Sequence, residues 1–157
     1  MIRKLVSVML LSGAWSLAAT AADVAYTKDI LPIFNERCVE CHGSESPVLH
    51  DFAKDEKKYI KENAGPRMNS YADLIFYVGW PDTGALMRRL DDGKSANDGK
   101  PGNMYRQLGG DETERQRNLK VFKEWVGEGA WNLNRWKARG EVPAITKEQL
   151  DRLRLLP

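Results

Sequence analysis

Apolar residues recur along this chain at three- and four-residue spacing, a period that predicts helices. Ile30, Ile33 and Phe34 form one such face, and Thr27 or Asp29 is placed to cap its start. Pro32 is acceptable only in a first helical turn, so this helix begins near Pro32 or is irregular before it. Residues 74–78 form a dense apolar run that predicts a buried helix. Asn69 or Ser70 caps it, and Gly79-Trp80-Pro81 stops it. A strand there would need a second such run as partner, and the sequence offers none. Leu86, Met87 and Leu90 predict a short helix opened by Asp82 or Thr83. Asp111, with Glu114 three residues on, predicts a capping box. Leu119, Phe122, Trp125, Val126 and Gly129 then make the face of the strongest helix, which Gly127 and Gly129 weaken at its end. Thr146 with Gln149 opens a terminal helix carrying Leu150, Leu153 and Leu156 on one face. The expected fold is all-α.

The polar stretches divide the chain. Residues 53–66 are charge-rich and predict a solvated face, and residues 92–102 predict an exposed loop. Residues 1–21 have the form of a secretory signal. Arg3 and Lys4 start it, a short apolar stretch follows, and Ala19-Thr20-Ala21 offers a cleavage site. The apolar stretch is shorter than the roughly 20 residues of a membrane span. The expected organisation is therefore a signal peptide over residues 1–21, one domain over 22–131, and a C-terminal extension over 132–157 that docks on it. The mature protein is expected in the periplasm, without a membrane span.

Composition narrows the function. The chain has 157 residues, is 42% hydrophobic and carries a formal charge of +2. Setting aside Arg3 and Lys4 of the leader, 24 − 2 leaves 22 basic residues against 22 acidic ones. Nothing in this balance favours nucleic acid, and protein partners would be met through a local patch. Trp80, Trp131 and Trp136 are candidates for such a patch, although buried tryptophan is the commoner outcome.

One pentapeptide carries the chemistry: Cys38-Val39-Glu40-Cys41-His42. Two thiols and an imidazole at this spacing read as a c-type haem attachment site. Each thiol can add to one haem vinyl group, and the histidine then lies under the ring as proximal iron ligand. These are the only two cysteines in the chain, and the export signal suits a cofactor attached outside the cytoplasmic membrane. A structural zinc site would need about four ligands. A thioredoxin-like pair would need a βαβ context. The expected cofactor is one covalent haem c.

Around the motif, Pro47 is a candidate to accept the free ring N–H of His42, and Leu49 and Phe52 are candidate haem-pocket residues. The sixth iron ligand decides the function, since a thioether opposite histidine suits electron transfer and an open position suits binding or chemistry. His50, Met68, Met87 and Met104 are the candidates. His50 is too near His42 for an easy wrap to the opposite face. Met87 sits on an apolar helix face, where methionine is usually packing. Met104 sits in an irregular loop and is preferred, with Met87 second.

The order of a helix, CxxCH, a mid-chain helix, a methionine loop and a helix ending in Trp and Gly-Ala resembles the class I cytochrome c fold. More narrowly, the chain resembles single-haem bacterial cytochrome c domains. The residues concerned are Lys28-Asp29-Ile30-Leu31-Pro32-Ile33-Phe34 before Cys38-Val39-Glu40-Cys41-His42-Gly43, then Ala85-Leu86-Met87-Arg88-Arg89-Leu90 and Glu124-Trp125-Val126-Gly127-Glu128-Gly129-Ala130. The resemblance spans roughly residues 25–131. It implies a helical fold around one haem, with His42 and Met104 as axial ligands and Met87 in a packing helix. It also implies that the first and last long helices cross, bringing Phe34 near Phe122 or Trp125. Tyr105 stands where that family usually has a proline after the ligand methionine, and residues 132–157 have no counterpart in the pattern. The function expected is a one-electron carrier working by outer-sphere transfer with redox protein partners, free or in a respiratory complex, and not a catalyst. The alternative is a haem-based sensor or ligand-binding module with an open sixth site.

Overall fold

The regular structure is helical, with no strand among the described residues. These are residues 24–80, 83–127, 130–131, 133 and 142–157 of this computed structural model. The leader, Pro81, Asp82, Gly129, Asn132, Asn134 and Trp136 lie outside them. A π-helical turn, Tyr26–Ile30, runs into α1 (Leu31–Arg37) and α2 (Val39–His42). Then come α3 (Leu49–Lys54), α4 (Glu56–Lys61), α5 (Tyr71–Phe76) and α6 (Ala85–Leu90). A 3₁₀ turn, Tyr105–Leu108, precedes α7 (Glu112–Val126), and α8 (Lys147–Asp151) lies near the C-terminus.

Local chemistry sets these boundaries. Pro32 occupies the first turn of α1, where its missing N–H costs nothing. Before it the chain forms the π-helical turn, and Asp29 accepts a bond from the Ala25 N–H at 2.8 Å instead of capping the helix ahead. Ser70 caps α5 by accepting the Asp73 N–H. Thr83 does not open α6. Its cap is Gly84, at φ 78, a left-handed conformation that glycine adopts without steric cost, and the Thr83 hydroxyl donates to the Gly79 carbonyl. Asp111 caps α7 through the Glu114 N–H at 2.8 Å, but the Glu114 carboxylate reaches back to Gly110 N–H at 2.7 Å, one residue beyond a true capping box. Thr146 and Gln149 do form the reciprocal box at α8.

The core forms on α7. Leu119, Phe122, Trp125 and Val126 are buried against Tyr26, Ile30, Leu74, Val78 and Met87. Phe34 is buried, yet the aromatic contact with α7 comes from Tyr26, whose ring centroid lies 6.2 Å from Trp125. Tyr71 completes an aromatic trio, at 5.5 Å from Tyr26 and 6.3 Å from Trp125. The apolar run at α5 is not wholly inside. Leu74, Tyr77 and Val78 are buried while Phe76 is 44% exposed, because consecutive positions through the end of α5 and the turn after it point in different directions. Only Leu153 of the terminal leucines is buried. α8 stops at Asp151, so the helical period does not carry Leu156 inward.

The chain ends are tied to each other. Tyr26 and Thr27 N–H groups donate to the Arg154 and Leu155 carbonyls at 2.8 and 3.1 Å. The Tyr71 hydroxyl donates to the Leu153 carbonyl at 2.5 Å, and Trp125 Nε1 donates to the Arg154 carbonyl at 3.1 Å. Trp125→Ala is expected to destabilise the haem-loaded protein by about 3–5 kcal/mol, the usual cost of emptying a buried aromatic site. Trp125→Phe, which keeps a ring but drops the indole bond, should cost less. Guanidinium denaturation of both variants checks this.

Candidate functional site

The Cys38-Val39-Glu40-Cys41-His42 segment is one tight turn. The Cys38 carbonyl accepts from Cys41 N–H at 3.2 Å and from His42 N–H at 3.0 Å, which sets both sulfurs and the imidazole on a single short helix. Both cysteine sulfurs belong to half-buried residues. Burial, with the neighbouring Cys41 sulfur, pushes the Cys38 thiol up to about 11, so it stays uncharged near neutral pH. Gly43 closes the turn where a Cβ would run into the Val39 carbonyl.

A second segment braces this turn from behind. Gly65 N–H donates to the Cys41 carbonyl at 2.7 Å, and Met68 N–H donates to the His42 carbonyl at 3.0 Å. Between them lies Pro66, whose carbonyl is 2.7 Å from His42 Nδ1. The imidazole therefore donates from Nδ1 and keeps Nε2 as the free lone pair. Burial lowers the His42 pKa, opposed by the Pro66 bond and aided by the Arg89 charge, so the ring is neutral and able to bind metal. A Cβ on Gly65 would lie well inside contact distance of the His42 ring. The partner of His42 is thus Pro66 and not Pro47. The Pro47 carbonyl is taken by Arg67 N–H at 2.8 Å, in the same backbone register. Sequence proximity pointed to Pro47, but a backbone pairing across the segment that holds α3 and α4 brings Pro66 to the ring.

The other candidates are dispersed. Leu49 and Phe52 are half-buried on α3, and Phe52 stacks on Tyr59 with centroids 5.9 Å apart. His50 is exposed on the same helix. Met68 belongs to the brace behind His42. Met87 is fully buried, at 0% exposure, within the core. Met104 is half-buried at the core margin, just before the 3₁₀ turn, and its N–H donates to the Arg89 carbonyl at 3.0 Å. Trp80 is 62% exposed, whereas Trp131 is half-buried with Lys123 over its ring at 5.2 Å.

The donor set fits a c-type haem. Two cysteine sulfurs stand one turn apart, and beside them a neutral imidazole is fixed through one nitrogen, leaving the other to bind iron. A family model for PccH cytochrome c matches residues 25–156. The chain belongs to the PccH cytochrome c family. The match runs well past residue 131 and takes in most of the C-terminal segment. A solved structure of monoheme cytochrome PccH from Geobacter sulfurreducens is 54% identical, with a TM-score of 0.68, covering 85% of this chain and 98% of that one. A search of curated proteins found no match. As a PccH-family cytochrome c, the protein has a helical single-haem fold with one covalently bound c-type haem, and it is of the electron-carrier kind. Among the described residues, no helix is long and apolar enough to cross a membrane.

Pro66 and Gly65 were the site residues hardest to find in the sequence. The Gly-Pro pair marks a turn, but nothing local says which ring it turns against. Gly65→Ala is expected to displace the imidazole, shift the haem absorption and lower stability by about 1–3 kcal/mol, as overpacking does. Gly110→Ala, where a Cβ would meet only the Glu114 carboxylate at 3.7 Å, should leave absorption unchanged. Spectra and thermal melts of the two variants check this.

A polar cluster beside Met104 sets an acid limit. The Tyr105 hydroxyl, Gln116 and Arg115 hold the Glu112 carboxyl down at about 2. Burial works to raise Asp92, but bonds from Gln116 and Lys94 hold it at about 2 as well. Both values lie below the ordinary carboxylate range, so their contribution is complete above that range and is lost as pH falls toward 2. Urea midpoints are therefore expected to drop between about pH 5 and pH 2. The drop should be smaller in Glu112→Gln.

Proposed function

We propose that the protein is a periplasmic one-electron carrier whose haem is bonded to Cys38 and Cys41, with His42 and Met104 as the iron ligands. The observation that carries this is the His42 ring, held at Nδ1 by the Pro66 carbonyl at 2.7 Å and free at Nε2. When bound, the haem supplies a reversible one-electron couple at its iron. The chain's own part is to hold its ligand atoms still. The bonds from Gly65 and Met68 fix the proximal segment, and the contact with Pro66 fixes the tautomer.

Three placements support Met104 as the sixth ligand. Met87 is packed in the core, Met68 lies on the brace of His42, and His50 is exposed on α3. Leu49 and Phe52 remain the proposed pocket residues, and partners are redox proteins. Residues 1–21 are read as the export signal and 22–131 as the haem domain. Residues 132–157 are read as an extension docked on that domain, a reading supported by buried Leu153 and the bonds to Arg154.

The test is an optical spectrum of the ferric protein into the near-infrared, followed by carbon monoxide after reduction. A methionine-to-iron charge-transfer band and no carbon monoxide binding are expected. Met104→Ala should abolish the band and open the iron to carbon monoxide. A high-spin wild-type spectrum with ready carbon monoxide binding would replace this reading with a sensor or ligand binder.

A further inference from the structure

Tyr105 follows Met104 directly and is buried, at 6% exposure. Its hydroxyl donates to Glu112 Oε1 at 2.5 Å and accepts from Gln116 Nε2 at 2.7 Å, both on α7. Gln116 Nε2 also donates to Asp92 Oδ2 at 3.0 Å, and Asp92 pairs with Lys94 at 2.9 Å. One hydroxyl thus joins the methionine segment to the first turns of α7, and through Gln116 to the loop that leaves α6. The backbone tie is separate. Met104 N–H donates to the Arg89 carbonyl at 3.0 Å, and Gly102 N–H to the Asp91 carbonyl at 2.8 Å. At Gly102 a Cβ would strike the Arg88 and Arg89 carbonyls, so the segment lies flush on the end of α6.

We propose that Tyr105 is the positioning residue for the distal methionine, clamping the Met104 segment to α7 so that the sixth iron position stays closed. This rests on the His42/Met104 reading above. A proline in this place would stiffen the loop through its own ring. Tyrosine stiffens it through tertiary bonds, which side-chain substitution can remove one at a time.

The test is displacement of methionine from the ferric haem protein by added imidazole, followed through the near-infrared band in stopped flow. Tyr105→Phe keeps the ring and removes the hydroxyl. Loss of one such bond should raise the opening of the segment, and so the imidazole rate, by about tenfold. Glu112→Ala, at an exposed position, should speed displacement in the same direction and guards against a misfolded Tyr105 variant. Tyr71→Phe is the control. It removes a comparable hydroxyl bond, to the Leu153 carbonyl, from a different part of the core, and should leave the imidazole rate unchanged even as stability falls. Rates within about twofold of wild type in both Tyr105→Phe and Glu112→Ala overturn the clamp, since a lost bond predicts a larger change. Equal acceleration in Tyr71→Phe also overturns it and makes the effect one of general stability. If the wild type itself lacks the methionine band, the axial reading falls and the clamp falls with it, an outcome distinct from a normal band with unchanged rates.

Discussion

The bond between His42 and the Pro66 carbonyl is the constraint around which the site is built. A histidine ring can rotate about two side-chain bonds and can carry its proton on either nitrogen. A single acceptor at 2.7 Å removes both freedoms together. That acceptor is a backbone carbonyl, so its position is set by the chain and not by a rotamer. It stays in place because Gly65 and Met68 pair with the carbonyls of Cys41 and His42 on either side of it. Proline suits this place, having no N–H of its own to satisfy, and glycine before it leaves room for the ring.

Much of the fold was legible and part of the site was not, for a physical reason. Helical periodicity reports on burial along one element, so the faces of α1 and α7 and the caps at Ser70, Asp111 and Thr146 could be read from residue types. The cysteine and histidine spacing carried the cofactor chemistry, because covalent attachment imposes it. The partner of His42 depends on a main-chain carbonyl, and every residue has one. Pro47 and Pro66 are equivalent in sequence terms, and only the pairing of residues 65–68 with 41–47 separates them. Reading residues 74–78 as wholly buried failed at Phe76 because hydrophobicity gives no direction around a helix. The cap at Gly84 was missed because a left-handed backbone cap leaves no side-chain signature beyond glycine itself.

The tail shows the same limit from another side. Leucines at helical spacing suggested a packed face over Leu150, Leu153 and Leu156, but only Leu153 of them is buried, and backbone bonds share in the attachment. Trp125, Tyr71, Tyr26 and Thr27 all donate to its backbone carbonyls. Such bonds place the terminal residues whatever their side chains are, and a pattern of side chains therefore says little about them. They also join the first turn of the described chain, the middle helix α5 and the long helix α7 at one point.

Most of the helices here are a turn or two long and would not persist alone, since forming the first turn costs more than a short helix returns. α7 is the exception, and Tyr26, Ile30, Leu74, Met87 and Leu90 of the shorter elements are buried in one core with it. On the proposed axial assignment, the two ligands come from opposite arrangements within this frame. His42 is fixed by neighbouring backbone, with the Arg37–Glu114 pair tying the start of its segment to α7. Met104 is fixed by the end of α6 and, through Tyr105, by α7 itself. A protein organised in this way can keep its cofactor covalently attached and its proximal ligand in place while the distal side opens. On the proposed clamp, the contacts around Tyr105 set how readily the distal side of this electron carrier opens.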